Sequence, residues 1–103
     1  MTGAQPAPAG TRLVDNAELN RFEAWQGTDV AGFASYRVSG DSMVFTHTVV
    51  EPAFEGRGVG SALARFGLDE ARSRGFAVDP VCPFIRLWIE RHPDYLDLVA
   101  EDS

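Results

Sequence analysis

Thr46-His47-Thr48-Val49-Val50-Glu51-Pro52 and, past Ala53-Phe54, Glu55-Gly56-Arg57-Gly58-Val59-Gly60-Ser61-Ala62-Leu63 together decide the fold. The first half is β-branched and extended until Pro52, which cannot donate to a sheet. The second half is a glycine-rich bend. Beyond the bend the pattern is helical: Val59, Ala62, Leu63 and Phe66 share one face. Glu70 and Arg74 form a favourable i,i+4 pair, and Gly75 suits a C-terminal cap. The stretch therefore reads as strand, loop, glycine bend and helix.

The three glycines at 56, 58 and 60 need a physical reason. Glycine allows positive φ and close approach of the backbone to another surface. Between a strand and a helix start, such a bend exposes a row of amide N–H groups, and the helix dipole adds partial positive charge. That is a cradle suited to phosphate or pyrophosphate, and Arg57 adds a full charge at its rim. A P-loop is excluded because the chain has no lysine. A dinucleotide fingerprint fits poorly, since its third glycine comes too early and antiparallel strands precede it. A plain turn that caps a helix stays open at this point.

Upstream, Glu18–Trp25 alternates loosely and reads as a strand, with a turn at Gln26-Gly27-Thr28-Asp29. Val30–Val38 is a clearer strand and Ser42–Val50 the clearest, so three strands joined by short turns form an antiparallel meander. Downstream of the helix, Phe76–Val81 reads as a short strand parallel to Ser42–Val50 through a βαβ crossover. Pro83–Arg91 reads as a second helix with proline in its first turn, and Asp94–Ala100 as a closing turn. The expected class is mixed α/β (α+β), an antiparallel meander followed by a βαβ crossover and a C-terminal helix. Residues 1–11 are expected to be a flexible tail, and 12–103 a single domain.

Composition removes several function classes. The net charge is −6 and all nine basic residues are arginine, in no basic run, so nucleic acid and anionic membranes are not expected partners. One cysteine and two histidines preclude an intrachain disulfide and an ordinary structural zinc site, so no metal is expected. No apolar run approaches the ~20 residues of a membrane span. The start of the chain lacks a secretory pattern, and a cytoplasmic location is expected.

The ordered set of motifs resembles the GCN5-related N-acetyltransferases. Their coenzyme A motif, Gln/Arg-x-x-Gly-x-Gly/Ala at a helix start, is matched at Gly58 and Gly60, with Glu55 in place of the usual first residue. Asn20-Arg21-Phe22, the Thr46–Pro52 stretch, the glycine block, Cys82-Pro83-Phe84 and Glu90-Arg91-His92-Pro93-Asp94-Tyr95 resemble the very small YjdJ-type group of that family. The resemblance implies a minimal acetyltransferase fold and acetyl-CoA as co-substrate. It implies that the strand ending at Val50 and the next parallel strand splay apart. Backbone groups of Val49 and Val50 would pair with the pantetheine arm, and amides of Gly56, Arg57, Gly58, Val59, Gly60 and Ser61 would hold the pyrophosphate. Glu55 is expected to face solvent.

Acetyl transfer to an amine needs a proton acceptor, donors for an oxyanion and two substrates held together. Cys82 follows a strand and precedes a helix start, where a thiol can gain thiolate character. It either carries the acetyl group or lines the slot. His47 is a candidate base, expected on the strand face shared by Phe45 and Val49. Glu51, at the strand end, could act directly or through water. Tyr36 and Tyr95 are weaker candidates as acids for the leaving thiol, and His92 is expected to cap or pack. The function expected is N-acetyl transfer from acetyl-CoA to an amine acceptor by direct attack, with cationic acceptors favoured by the acidic chain. The alternatives are a coenzyme A-binding or sensing module without turnover, and an interaction domain whose glycines only turn the chain.

Overall fold

The β-branched run Ser42–Val50 forms β4, and the tight turn at Gly40, φ 58°, joins it antiparallel to β3, Asp29–Ser39. In the computed structural model, which describes residues 9–99, three further strands complete one sheet: β1 (Thr11–Asn16), β2 (Arg21–Gln26) and β5 (Ala77–Pro80). The strand order is β1-β2-β3-β4-β5, antiparallel up to β4 and parallel between β4 and β5. Helix α1 (Val59–Ser73) makes the crossover, and α2 (Pro83–Glu90) follows β5. Short 3₁₀ turns cover Pro52–Phe54 and Pro93–Leu98.

The meander has four strands, not three. Thr11, assigned above to the tail, opens the edge strand β1, while residues 1–8 of that tail lie outside the described residues. β1 escaped notice because its mixed sequence TRLVDN is only partly buried and shows no clean alternation. The expected strand from Glu18 starts at Arg21, because the chain turns at 17–20. There Asn16 accepts from Leu19 N–H through both its backbone and side-chain oxygens, and Asn20 takes φ 55°.

Helix α1 buries Val59, Leu63, Ala64, Gly67, Leu68 and Ala71 against Phe22, Ala34, Tyr36, Met43 and Phe45 of the sheet. Gly67 permits this closeness: a Cβ there would lie 2.9 Å from Phe45 and 3.1 Å from Phe22. Ile85, Trp88 and Ile89 of α2 join the same core. At its far end, α1 is tied to β1 by Arg74, which contacts Asp15 at 2.7 Å and Glu70 at 2.8 Å.

A bulge in β4 sets which side chains face the helices. Ser35 pairs with His47 and Tyr36 with Phe45, so Thr46 is the extra residue. Phe45 points into the core, and after the bulge Thr48 and Val50 return to that side. His47 lies on the opposite face, beside Ser35 and Phe33. The expectation that His47 shares a face with Phe45 is therefore wrong, because strict alternation does not survive the inserted residue.

Candidate active site

β4 and β5 pair only from Ser42 opposite Ala77 to Phe45 opposite Pro80. One further bond, from Cys82 N–H to Phe45 C=O at 2.8 Å, closes the ladder. Beyond it the two chains part. Pro83 cannot continue a strand and starts α2 instead, while β4 runs on to Val50 with β3 on one side only. The result is a wedge between the end of β4 and α2.

The glycine bend stands at the mouth of that wedge. Gly56 and Gly58 take φ 80° and 85°, and Gly58 is the N-cap of α1. The N–H groups of Val59, Gly60 and Ser61 have no carbonyl behind them in the helix. They open on a groove of about 580 Å³. Val50, Glu55, Gly56, Gly58, Val59, Gly60 and Ser61 line one side, and Phe84, Leu87, Trp88, Arg91 and His92 of the α2 segment the other. Glu55 is exposed, as expected, but lies on the groove's rim.

Several contacts fix the α2 wall. Trp88 Nε1–H donates to Ser61 Oγ at 2.8 Å. His92 stacks on the Trp88 ring at 3.7 Å and its Nδ1 donates to Trp88 C=O at 2.7 Å. Phe84 lies over Gly60, where a Cβ would sit 2.9 Å from the ring. A side chain at position 60 would therefore meet the Phe84 ring first. Gly32 plays a like part below, since its Cβ would lie 2.7 Å from the Val49 carbonyl oxygen and 3.2 Å from Val59.

The sequence candidates are distributed unevenly over this site. Val50, Gly56, Gly58, Val59, Gly60 and Ser61 come together in the groove. Arg57 sits over Phe54 at 5.7 Å and is not in its lining, and Val49 faces away from Val50's side. Cys82 is 2% exposed at the base of the wedge, with Sγ 3.5 Å from Thr48 Oγ1. His47 is exposed on the other face, its ring nitrogens 3.3 Å from Ser35 Oγ and 3.3 Å from Thr46 Oγ1. Glu51 is exposed and its backbone N–H bonds Ala31 C=O at 2.8 Å. Cys82 and His47 are thus on opposite sides of β4. Neither tyrosine reaches the groove: Tyr36 donates to Asp15 at 2.7 Å and Tyr95 to Asp69 at 2.8 Å. Burial, reinforced by those carboxylates, raises both phenols above their usual range.

Leu87, Arg91 and His92 join the groove without a signal of their own in the sequence beyond the helical spacing of Phe84, Leu87, Trp88 and Arg91 along α2. Glu23 was also missed. It is 3% exposed on the face away from the helices and accepts from Asn16 at 3.0 Å, Arg21 at 2.8 Å and Trp25 Nε1 at 2.9 Å. Burial pushes its carboxyl up, but those three hydrogen bonds and the Arg21 charge outweigh it and hold the pKa below the ordinary value.

This architecture defines a small acyltransferase fold with a parted strand pair and a glycine-capped helix. The chain belongs to the GCN5-related N-acetyl-transferase family, whose model matches residues 21–98. No curated protein matches it in sequence. Among solved structures it is similar to the ribosomal-protein-S18-alanine N-acetyltransferase from Escherichia coli, at 28% identity and TM-score 0.54, over 65% of this chain. It spans only 40% of that enzyme's length. A GCN5-like protein from Staphylococcus aureus is similar over nearly the whole of both chains, 92% and 93%, with TM-score 0.70 and 21% identity. Ard1 from Thermoplasma volcanium shares the fold at TM-score 0.53 and 24% identity, over 62% of this chain and 44% of its own.

Proposed function

We propose that this protein is an acetyl-CoA-dependent N-acetyltransferase that moves an acetyl group to an amine by direct attack. The observation that carries the reading is the row of free amides at the start of α1, held open by left-handed Gly56 and Gly58, beside the unpaired edge of β4. Family membership supports the same reaction class. The groove fits coenzyme A on its chemistry: amide donors and a helix N-terminus suit a pyrophosphate, and an unpaired strand edge suits an amide-bearing arm.

When bound, acetyl-CoA supplies an activated acyl thioester. The chain's own residues have four tasks. Amides of Val59, Gly60 and Ser61 hold the diphosphate. The backbone of Val50 pairs with the arm and aims its end into the wedge above Cys82. Val49, two residues before Glu51, instead turns its N–H and C=O towards β3, in phase with the bond from Glu51 N–H to Ala31 C=O. Cys82 and Thr48 line the base of that wedge, with the thiol a wall and not a nucleophile. On the far side of β4, His47 and Glu51 stand where an approaching amine can give up its proton, to an imidazole nitrogen or through water to the carboxylate. Holding the two reactants in one wedge supplies much of the acceleration.

Titration calorimetry with acetyl-CoA tests the binding half. Wild type and Gly60→Ala should both bind, and Gly60→Glu should lose binding because its carboxylate opposes the diphosphate. Equal affinity for a folded Gly60→Glu protein would overturn the site. Free-thiol release with a panel of amines tests the transfer half. A coenzyme A-binding module without turnover is the second reading, favoured by the exposure of His47 and Glu51, neither of which lines the groove. It predicts binding with no thiol release for any amine.

A further inference from the structure

The His47 imidazole has two nitrogens, and its neighbours on β3 and β4 treat them differently. The bulge re-aims His47 so that Thr46 Oγ1 lies 3.3 Å from its Nδ1. On the other side of the ring, Ser35 Oγ lies 3.3 Å from Nε2. Phe33 packs against the imidazole at 80°, with ring centroids 6.0 Å apart. Phe33 is itself backed by Arg21, 4.2 Å from its centroid, and Glu23 holds Arg21 at 2.8 Å. His47 is exposed, yet its ring has a partner at both nitrogens and an aromatic neighbour at its side.

A threonine hydroxyl has a single hydrogen to donate. Thr46 Oγ1 also lies 3.4 Å from the Ser35 carbonyl oxygen, which can only accept, so the hydroxyl hydrogen goes there. Towards His47, Thr46 Oγ1 is therefore an acceptor, and only an Nδ1–H satisfies it. In the neutral ring the lone pair then sits on Nε2, where the Ser35 hydroxyl donates to it. At 3.3 Å that bond is long, and an arriving amine can displace it. We propose that Thr46 is a positioning residue: it holds neutral His47 as the Nδ1–H tautomer and so makes Nε2 the nitrogen that takes the acceptor amine's proton. As the amine nitrogen bonds to the acyl carbon, Nε2 takes the N–H proton. The thiolate departs with the electron pair of the broken C–S bond, and the imidazolium returns its proton to water. The inference deepens the transfer reading above, and the catalytic role of Nε2 rests on it.

Ring nitrogen shifts of His47, read by long-range proton–nitrogen NMR in solution alkaline enough to keep imidazole neutral, test the tautomer without any substrate. Wild type should show a protonated Nδ1 and an unprotonated Nε2. Thr46→Ser and Ser35→Ala should keep that pattern, and Thr46→Val should replace it with averaged shifts from two exchanging tautomers. His92, whose Nδ1 donates to Trp88 C=O, should stay unchanged in every variant and so shows that each is folded. Thiol release with an amine that wild type turns over tests the consequence. Thr46→Val should lower kcat by the factor by which the Nδ1–H population falls, about two- to tenfold, with KM nearly unchanged. A wild type in the Nε2–H form or already averaged would overturn the positioning role and leave the transfer reading standing. So would a Thr46→Val protein that keeps a single Nδ1–H form, or a Thr46→Ser or Ser35→Ala protein that loses it. A tautomer shift with kcat unchanged would overturn Nε2 as the base. A wild type that releases no thiol with any amine would overturn the transfer reading and the role of Nε2 with it.

Discussion

Two glycines of α1, Gly60 and Gly67, should respond in opposite ways to the same added methyl group. In a helix, Gly→Ala is worth up to about 1 kcal/mol of stability, less in the first turn where Gly60 sits. What the methyl meets then decides the outcome. At Gly67 the new Cβ lies 2.9 Å from Phe45 and 3.1 Å from Phe22, both fully buried and stacked with ring centroids 6.1 Å apart. Those rings belong to β4 and β2 and have no space to move into. Overpacking of this kind costs about 2–3 kcal/mol. The net loss for Gly67→Ala is then about 1–2 kcal/mol, a fall in Tm of roughly 5–15 °C for a domain of this size. At Gly60 the methyl meets the far end of Phe84, a ring 41% exposed that can swing outward. Gly60→Ala should therefore stay within about 0.5 kcal/mol of wild type. Thermal melts followed by circular dichroism, with urea midpoints as a check, compare the three proteins. A Gly67→Ala protein that melts at or above wild type, or no lower than Gly60→Ala, would refute the reasoning.

Cys82 can be tested by intact mass. Incubation with acetyl-CoA and no acceptor should leave the mass unchanged, and Cys82→Ala should keep most transfer activity. A hydroxylamine-labile acetyl adduct that forms and decays at the turnover rate would show instead that the thiol carries the group. Glu23 gives a pH prediction. Its folded pKa lies below the ordinary glutamate value, so its stabilisation is complete above that ordinary value and fades as pH falls through the folded one. Glu23→Gln should cost about 1–3 kcal/mol at pH 7, where the charged acceptor of three donors is lost, and the two proteins should converge in stability towards acid. A gap as wide at pH 3 as at pH 7 would mean that the carboxylate charge contributes nothing.

Much of this protein was legible in its sequence because the controlling signals are local. The Thr46–Leu63 stretch specifies strand, bend and helix through β-branched residues, a proline that stops pairing and glycines that take positive φ. Ser42–Val50 and the start of α2 at Pro83 fall where backbone chemistry puts them. The glycine cradle is local too, since its amides come from consecutive residues. Other features depend on distant partners. β1 is a strand because β2 is there to pair with it, not because TRLVDN has a pattern of its own. The side to which His47 points was decided by a bulge at Thr46, which exists only in the register of β4 against β3. Gly60 and Gly67 look alike in sequence, and only packing shows that one admits Phe84 and the other Phe45 and Phe22. The α2 wall became a groove wall only when Trp88 met Ser61, 27 residues away. Local backbone preference is written residue by residue, but facing, register and clefts arise from contacts between segments far apart in the chain, and these only the folded structure supplies.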